Sequence, residues 1–460
     1  MREIAITKTL ANISPPDGQP GSVLASPSRT SPNYYYHWVR DGARTMRALV
    51  YLYDSCSSAH KAQIAEILRD YVEFSKIQQV TPTVSNSLGE PKFYVTGEGY
   101  GGPWGRPQND GPAQRALVLT RWALQLLKDG HSAFVHSVLY DGQEPSYSLI
   151  KADLDYVGHN WQAHCFDLWE EVDGTHFFTR MHQRAALREG AALATQLSDP
   201  GAANFFSQQA AAIESQMGSF WPNGARYLIE TVNRTGGLNY KASNLDAAVI
   251  LGSCETYYSH VPQYFSPSDE FVLATAYGLH TRFQALYPLN GTQKTPSGDP
   301  LFPAIGRYPE DQYTGGSGNE GNPWYLITLT MGALCYKASE LIATAGSIAI
   351  TGNNLAYLSL GLGLVSAPGT TISAGTTLTR GSAAFNAVTS GLIAMGDAYL
   401  RRVQTCTPSD GSLSEQFDRI MGAPTSAYDL TWSYVAMVLA AQWRKESVAA
   451  LTHATISLTG

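Results

Sequence analysis

The sequence predicts an all-α protein: a toroid of antiparallel helical hairpins with long functional loops at one end. Three observations carry that expectation. Apolar residues recur at helical spacing along most of the chain, strand-like alternation is scarce, and the helices follow one another in pairs with no linker between them. Helices in that order bury their apolar faces against one another, so residues 1–460 read as a single domain.

Ile64, Ile67, Leu68, Tyr71 and Val72 fall at i, i+3, i+4, i+7 and i+8, one face of a helix. The next helix opens at Gly111-Pro112, with proline in its favoured first position, passes through Leu117, Trp122 and Leu127, and stops at Gly130. Residues 180–197 form a third, ended by Ser198-Asp199-Pro200, and 202–217 a fourth, closed by Gly218. Further helices are expected over 245–257, over 267–286 with Ser266 as cap, and from Pro323-Trp324 to about residue 345. Residues 385–402 and 430–444 complete the series. The best strand candidate is 225–232, as part of a hairpin. The Gly/Ser/Thr-rich stretch 361–381 resembles a linker in composition, but amphipathic helix follows it, so it reads as an ordered loop of the same domain.

Composition narrows the function. Charged residues make up 15% of the chain, against roughly 25% in an average soluble protein, while there are 26 Tyr and 9 Trp. Those side chains join a flat apolar face to a hydrogen-bonding tip, the complement of a sugar with its C–H faces and hydroxyl rim. A net charge of −7 without a long basic run argues against nucleic acid and against an electrostatic membrane anchor. No apolar stretch is expected to span a bilayer, the least polar long one, 343–368, being broken by Gly and Asn. The N-terminus lacks the hydrophobic region of a signal peptide, which leaves two expectations: an intracellular protein, or a signal replaced by an initiator Met. Five scattered cysteines show no zinc-type spacing and allow at most two disulfides; most are expected to be buried thiols. Sequons stand at Asn12, Asn233 and Asn290.

The most informative run is Phe166-Asp167-Leu168-Trp169-Glu170-Glu171-Val172-Asp173-Gly174. Two adjacent carboxylates sit beside a tryptophan, with Phe177 and Phe178 close behind. An apolar wall raises a carboxyl pKa, so this segment is the candidate for a general acid, with either glutamate open to that role. A second carboxylate comes from Gly411-Ser412-Leu413-Ser414-Glu415-Gln416-Phe417-Asp418. Cleaving a glycosidic bond takes such a couple, one acid for the departing oxygen and one base or nucleophile. Spacing in sequence does not show that the two meet.

Six motifs occur in order: Ser31-Pro32-Asn33-Tyr34-Tyr35-Tyr36-His37-Trp38-Val39-Arg40-Asp41, Gly102-Pro103-Trp104-Gly105-Arg106-Pro107-Gln108-Asn109-Asp110-Gly111-Pro112, Leu168-Trp169-Glu170-Glu171, Gly306-Arg307-Tyr308-Pro309-Glu310-Asp311, Gly321-Asn322-Pro323-Trp324 and Ser414-Glu415-Gln416. Together they closely resemble the catalytic core of the glucoamylases, glycoside hydrolase family fifteen, of the fungal and yeast type. The resemblance covers nearly the whole chain. It implies an (α/α)6 barrel and inverting release of β-D-glucose from the non-reducing ends of starch, dextrins and maltooligosaccharides.

Carried over by position, Glu170 matches the general acid and Glu415 the general base, about 6.5–9.5 Å apart in an inverting enzyme. Glu171 resembles the acidic residue that binds the sugar beyond the scissile bond, its charge helping to hold a proton on Glu170. Arg40 and Asp41 match the pair that holds the terminal glucose, with Arg307 as second substrate arginine and Tyr34 as support for the base. Trp38, Trp104, Trp169, Tyr313, Trp324 and Trp432 resemble the aromatic wall, Trp432 being equally suited to core packing. Leu168 contributes a backbone carbonyl and Gln416 a further contact beside the base, while Arg106 and Asp110 suit a structural salt bridge. A base near the reference value and a raised acid imply a bell-shaped, mildly acidic pH profile. The resemblance implies an α-glucan as partner, no metal or organic cofactor, a monomer, and a secreted protein whose abrupt start is that of a mature chain with an added Met.

Departures are expected to matter too. The paired cysteines of fungal members are not evident, Thr314 to Gly321 lengthens a loop that would reshape the outer subsites, and no linker or starch-binding domain follows Gly460. Alternatives are a related exo-hydrolase preferring α-1,6 or trehalose linkages, and a non-catalytic carbohydrate-binding toroid.

Overall fold

The computed structural model describes residues 1–53, 56–141, 148–258, 264–316, 318–367 and 369–456. The helices are α1 (Arg2–Ala11), α2 (Val39–Tyr53), α3 (Ser58–Val80), α4 (Asp110–Lys128), the short α5 (Ser132–Phe134), α6 (Leu149–Asn160), α7 (Phe177–Gln196) and α8 (Pro200–Gln216). They continue with α9 (Ala248–Thr256), α10 (Glu270–Leu286), the short α11 (Leu289–Thr292), α12 (Tyr325–Ala345), α13 (Leu355–Leu362), α14 (Ala383–Cys406) and α15 (Thr431–Ile456).

Six of these close a ring: α2 packs on α4, α4 on α7, α7 on α9, α9 on α12, α12 on α15, and α15 back on α2. Outside it lie α1 against α15, α3 against α2, α6 against α4 and α7, α8 against α7, α10 against α9, and α14 against α12. Inner and outer helices alternate along the chain, which is the expected (α/α)6 toroid. Burial follows the rings: every residue of α9 is buried, whereas α8 buries only Phe206, Ala210 and Ile213. Helix α12 is long and apolar enough to cross a membrane by composition, contrary to the expectation for this chain. Its apolarity is that of an inner helix packed on all sides, with 89% of the apolar window buried in the protein.

Caps set the boundaries. Asp199 accepts from the Ala202 N–H with Pro200 at the first position, so α8 starts two residues earlier than expected. Asp269, not Ser266, caps α10 through the Phe271 N–H, and Gly346 ends α12 in the left-handed conformation. Helices α1, α2, α6 and α13 carried no clear signal. In α2 the reason is physical: Arg40 and Arg44, four residues apart and both buried, lie where the apolar stripe of a helix belongs. The short strands β1 (His37–Trp38) and β2 (Lys92–Phe93) pair with each other, and the expected strand at 225–232 lies later, at β5 (Thr231–Gly237), the third strand of a sheet ordered β3 (Cys165–Phe166), β4 (Val172–His176), β5. Among its described residues the stretch 361–381 holds the end of α13 and the short strand β7 (Thr377–Thr379), paired with β6 (Ser347–Ala349).

All five cysteines are free and four are buried. Two sequons are unsuited to modification: Asn12 and Asn290 are buried and donate to Thr431 Oγ1 and the Phe283 carbonyl, while Asn233 is exposed.

Ion pairs tie the inner ring together. The Arg121 guanidinium donates to both Glu189 oxygens at 2.8 and 2.7 Å and to the Thr256 carbonyl at 3.2 Å, joining α4, α7 and α9. Both side chains are buried, so removing one strands the other's charge. Arg121→Met should destabilise the protein by about 3–5 kcal/mol, and Arg121→Met with Glu189→Met should recover most of that. Thermal unfolding of both variants checks this; a double variant as weak as the single one would contradict it.

Candidate active site

Because inner and outer helices alternate, all six inner helices run the same way and their N-termini face one end. A pocket of about 680 Å³ opens there. Arg40 and Asp41 reach it from the first turn of α2, Trp324 from the residue before α12, and Trp432 from the start of α15. Each N-terminus brings the positive end of its helix dipole toward a pocket that holds four carboxylates, Asp41, Glu170, Glu171 and Glu415.

Glu170 and Glu171 sit at the tip of the turn between β3 and β4. Asp167 holds the turn, its Oδ1 accepting from the N–H groups of Glu171 and Val172 at 2.7 and 3.0 Å. Glu170 itself adopts a left-handed φ of 68°. The neighbouring loop must be glycine at 105, since a Cβ there would meet the Phe166 ring at 2.7 Å and the Glu170 carbonyl at 2.9 Å. What the Glu170 carboxylate meets is polar, not the expected apolar wall. Its Oε1 accepts from Trp38 Nε1 at 2.8 Å and from Gln108 Nε2 at 3.0 Å, with the Arg40 guanidinium 3.6 Å away. Arg40 in turn donates to Gln108 and Asp110, both at 2.9 Å, so α2, α4 and the glutamate turn meet at one guanidinium. Arg106 pairs with Glu90 instead, at 2.6 Å; both arginine and aspartate of that motif are structural, with separate partners.

Glu171 turns the other way, accepting from Arg307 at 2.7 Å and from the Tyr308 hydroxyl at 2.6 Å. Burial lifts its carboxyl above the usual range while Arg307 works against that. Its carboxylate is thus paired with Arg307 and Tyr308. Arg307 is locked by Asp311 at 2.8 and 2.5 Å.

Glu415 is fixed through its backbone, its N–H donating to the Ala427 carbonyl and its carbonyl accepting from Tyr325. Oε2 of its carboxylate accepts from the Ser426 hydroxyl and from Gln416 Nε2, the latter at 3.2 Å, and the Tyr34 hydroxyl also acts on it. Tyr34 shares a 2.6 Å hydrogen bond with the Tyr313 hydroxyl. Burial pushes the Glu415 carboxyl up to about 7, against the pull of Ser426, Tyr34 and Arg307. The expectation of a base near its reference value is therefore corrected: desolvation outweighs its donors. Burial likewise pushes Asp41 up to about 6, and no hydrogen bond to its carboxylate is found among the described residues.

The sequence-predicted residues Tyr34, Trp38, Arg40, Asp41, Trp104, Leu168, Trp169, Glu170, Glu171, Arg307, Tyr313, Trp324, Glu415 and Trp432 all line this pocket. Gln416 does not. It is wholly buried behind Glu415, held by Asn322 at 3.1 Å, and positions the carboxylate instead of touching the cavity. Trp169 stacks on Trp432 at 6.2 Å with its N–H bonded to Asp246, and Arg44 covers the far side of the wall, 3.4 Å from the Trp432 ring centroid. The nitrogens of Trp104 and Trp324 and Arg40 Nε are buried without a hydrogen-bond partner among the described residues. The lengthened loop at 314–321 contributes no described residue to the lining. It braces the base instead: Gly315, at φ +73°, lies so close to Ser426 that no side chain fits.

Among the residues the sequence did not single out are Lys92, Tyr36 and Tyr100 in the lining and Ser426 behind Glu415. Lys92 lies within 4.6 Å of the ring centroids of Tyr36, Trp38, Tyr100 and Trp104, and burial pushes its ammonium down to about 8. A single lysine in Glu90-Pro91-Lys92-Phe93 carries no signal of this. Ser426 has none either, since only the β8–β9 hairpin, Gln416–Phe417 paired with Pro424–Thr425, returns it to Glu415. No cluster able to hold a metal ion occurs among the described residues.

Comparison with known proteins agrees with this geometry. The family described as Glycosyl hydrolases family 15 matches residues 4–442. A glucoamylase of Blastobotrys adeninivorans is 37% identical over 438 residues, covering 95% of this chain and 69% of its own. The solved glucoamylase from Saccharomycopsis fibuligera superposes with a TM-score of 0.85 at 32% identity, covering 97% of this chain and 94% of that one. The family 15 glucoamylase from Hypocrea jecorina gives 0.83 at 32% identity, over 96% of this chain and 71% of that one. With matched residues spanning both carboxylate loops and the same fold throughout, the chain belongs to family 15 of the glycosyl hydrolases.

Proposed function

We propose that the protein is an inverting, exo-acting glucan 1,4-α-glucosidase that releases β-D-glucose from the non-reducing ends of starch, dextrins and maltooligosaccharides. The observation that carries this reading is that one pocket holds two carboxylates from separate loops, each positioned by side-chain donors. On Glu170 the donors of Trp38 and Gln108 both address Oε1, so a proton on this group rides on Oε2 and is free to pass to the departing glycosidic oxygen. On Glu415 Ser426 and Gln416 address Oε2 and the Tyr34 hydroxyl also acts on the carboxylate, which as base draws a proton from water. An inverting reaction needs two such carboxylates, an acid on one side of the bond and a base that activates water on the other.

Asp41, Arg40 and Arg307 would hold the hydroxyls of the terminal glucose, with Glu171 and its Arg307 partner taking the next unit. Reading hydroxyls with buried charged groups gives selectivity, because a sugar lacking the right hydroxyl leaves those groups unpaired.

Glu170→Gln and Glu415→Gln should each lower kcat by about 10²–10⁴-fold with helical content intact. Time-resolved NMR of maltotriose digestion tests the reaction itself. β-Glucose should appear first, and α-glucose appearing first would exclude inversion, while faster cleavage of trehalose or isomaltose than of maltose would overturn the linkage preference.

With Glu415 as base, activity appears as that carboxyl ionises, so the acidic limb of kcat/KM should lie above the ordinary glutamate range. Ser426 favours the ionised form, so Ser426→Ala should move that limb to higher pH. A limb that stays in place or falls would remove Glu415 from the role.

Stability offers an independent check. A folded-state value of about 7 against 4.5 in the unfolded chain means that the folded protein holds this proton more tightly. The stabilisation is complete below pH 4.5 and is lost as pH rises through 7, a change on the order of 3 kcal/mol. Glu415→Gln lacks this loss, so its thermal midpoint should gain on the wild type between pH 4 and pH 8.

A further inference from the structure

A line of aromatic rings leads out of the pocket beside Lys92. At its inner end Trp38 and Trp104 lie 6.0 Å apart between ring centroids. Tyr36 meets Trp38 edge-on at 6.1 Å and Tyr100 meets Trp104 at 5.6 Å. Tyr94 closes the series, 5.4 Å from Tyr36 and 6.0 Å from Tyr100. Exposure grows outward: Trp38 is buried, Tyr36 and Tyr100 are half-buried and line the cavity, and Tyr94 stands outside the lining at 42% exposed.

Three further features separate this cluster from chance exposure. The hydroxyls of Tyr36, Tyr94 and Tyr100 make no hydrogen bond among those found in the described residues, which leaves three phenol tips clustered beside the pocket without a partner. The ammonium of Lys92 lies 4.1 and 4.2 Å from the rings of Tyr36 and Tyr100, a cation–π contact that holds both rings in place. The Tyr94 backbone is pinned by its N–H donating to the Glu98 carbonyl at 2.9 Å. Tyr277 and Tyr428 are also exposed, but no ring contact joins either to the pocket among the described residues.

We propose that Tyr94, backed by Tyr36 and Tyr100, is an outer subsite on which the α-glucan stacks a glucose unit after leaving the pocket. The proposal rests on the function given above. A pyranose ring presents an apolar C–H face to the tyrosine ring and hydroxyls to the free phenol tips, and the platform is held before the sugar arrives, so little order is lost on binding. A chain too short to reach Tyr94 gains nothing from it. The residue therefore sets the preference for chain length and leaves the chemical step alone.

The test compares kcat/KM on maltose and on maltoheptaose for the wild type, Tyr94→Ala and Tyr94→Trp. Tyr94→Ala should lose about threefold to tenfold on maltoheptaose through a higher KM, stay within twofold on maltose, and keep its thermal midpoint. Tyr94→Trp should restore the preference for the longer chain. An unchanged maltoheptaose-to-maltose ratio in Tyr94→Ala, or an equal loss on both substrates, overturns the subsite while leaving the function standing. A wild type that releases glucose from neither substrate overturns the function and this subsite with it.

Discussion

The closure of six parallel helices into one ring is the constraint on which the rest depends. An inner helix can pack on two inner neighbours only if the chain returns on the outside each time, and that return makes all six run in one direction. Their N-termini then gather at a single end, where α2, α12 and α15 deliver Arg40, Asp41, Trp324 and Trp432 to a common pocket. Loops at that end are positioned by a rigid scaffold, which is where catalytic groups are held best.

The ring also has to accommodate charge in its interior. Arg115 pairs with Asp153, Arg121 with Glu189, and Arg44 with Glu255, all buried. Such pairs contribute little net stability compared with apolar residues of the same volume, but each is costly to break. They also fix geometry across helices. Arg40 is the clearest example, since one guanidinium sets the relative position of α2, Asp110 at the head of α4, Gln108 and the Glu170 turn. The pocket is correspondingly strained in electrostatic terms. Glu415 and Asp41 are both held above their ordinary pKa by burial, and Glu170 occupies a left-handed backbone conformation. Stability is given up where chemistry is to be done.

Much of this was legible in the chain. Helices with a clean apolar stripe and local stop signals, such as α3, α4 and α7, lie where periodicity puts them, because those signals act within one or two turns. Helix α2 was hidden for the opposite reason: as an inner helix of the site it turns arginines toward the interior, which reads as loss of amphipathicity. The strand expected at 225–232 was displaced to Thr231–Gly237, since its place is set by pairing with Val172–His176, some sixty residues earlier. Gln416 illustrates a different limit. Adjacency to Glu415 in sequence suggested a ligand contact, but Gln416 begins a strand directly after Glu415 and its side chain is held in the interior by Asn322, ninety-four residues earlier.

The amino-acid sequence by itself determined the all-helical class, the two carboxylate loops and the aromatic and basic residues of the pocket wall, because those rest on local periodicity and on residue identity within short motifs. Only the tertiary structure decided which donors hold each glutamate, that Glu171 is committed to Arg307, that Lys92 and Ser426 belong to the site, and that burial raises Glu415. Hydrogen-bond saturation and desolvation are properties of what surrounds a group in space. For Glu170 that surrounding comes from Trp38 and Gln108, 132 and 62 residues away along the chain, and no local pattern carries it.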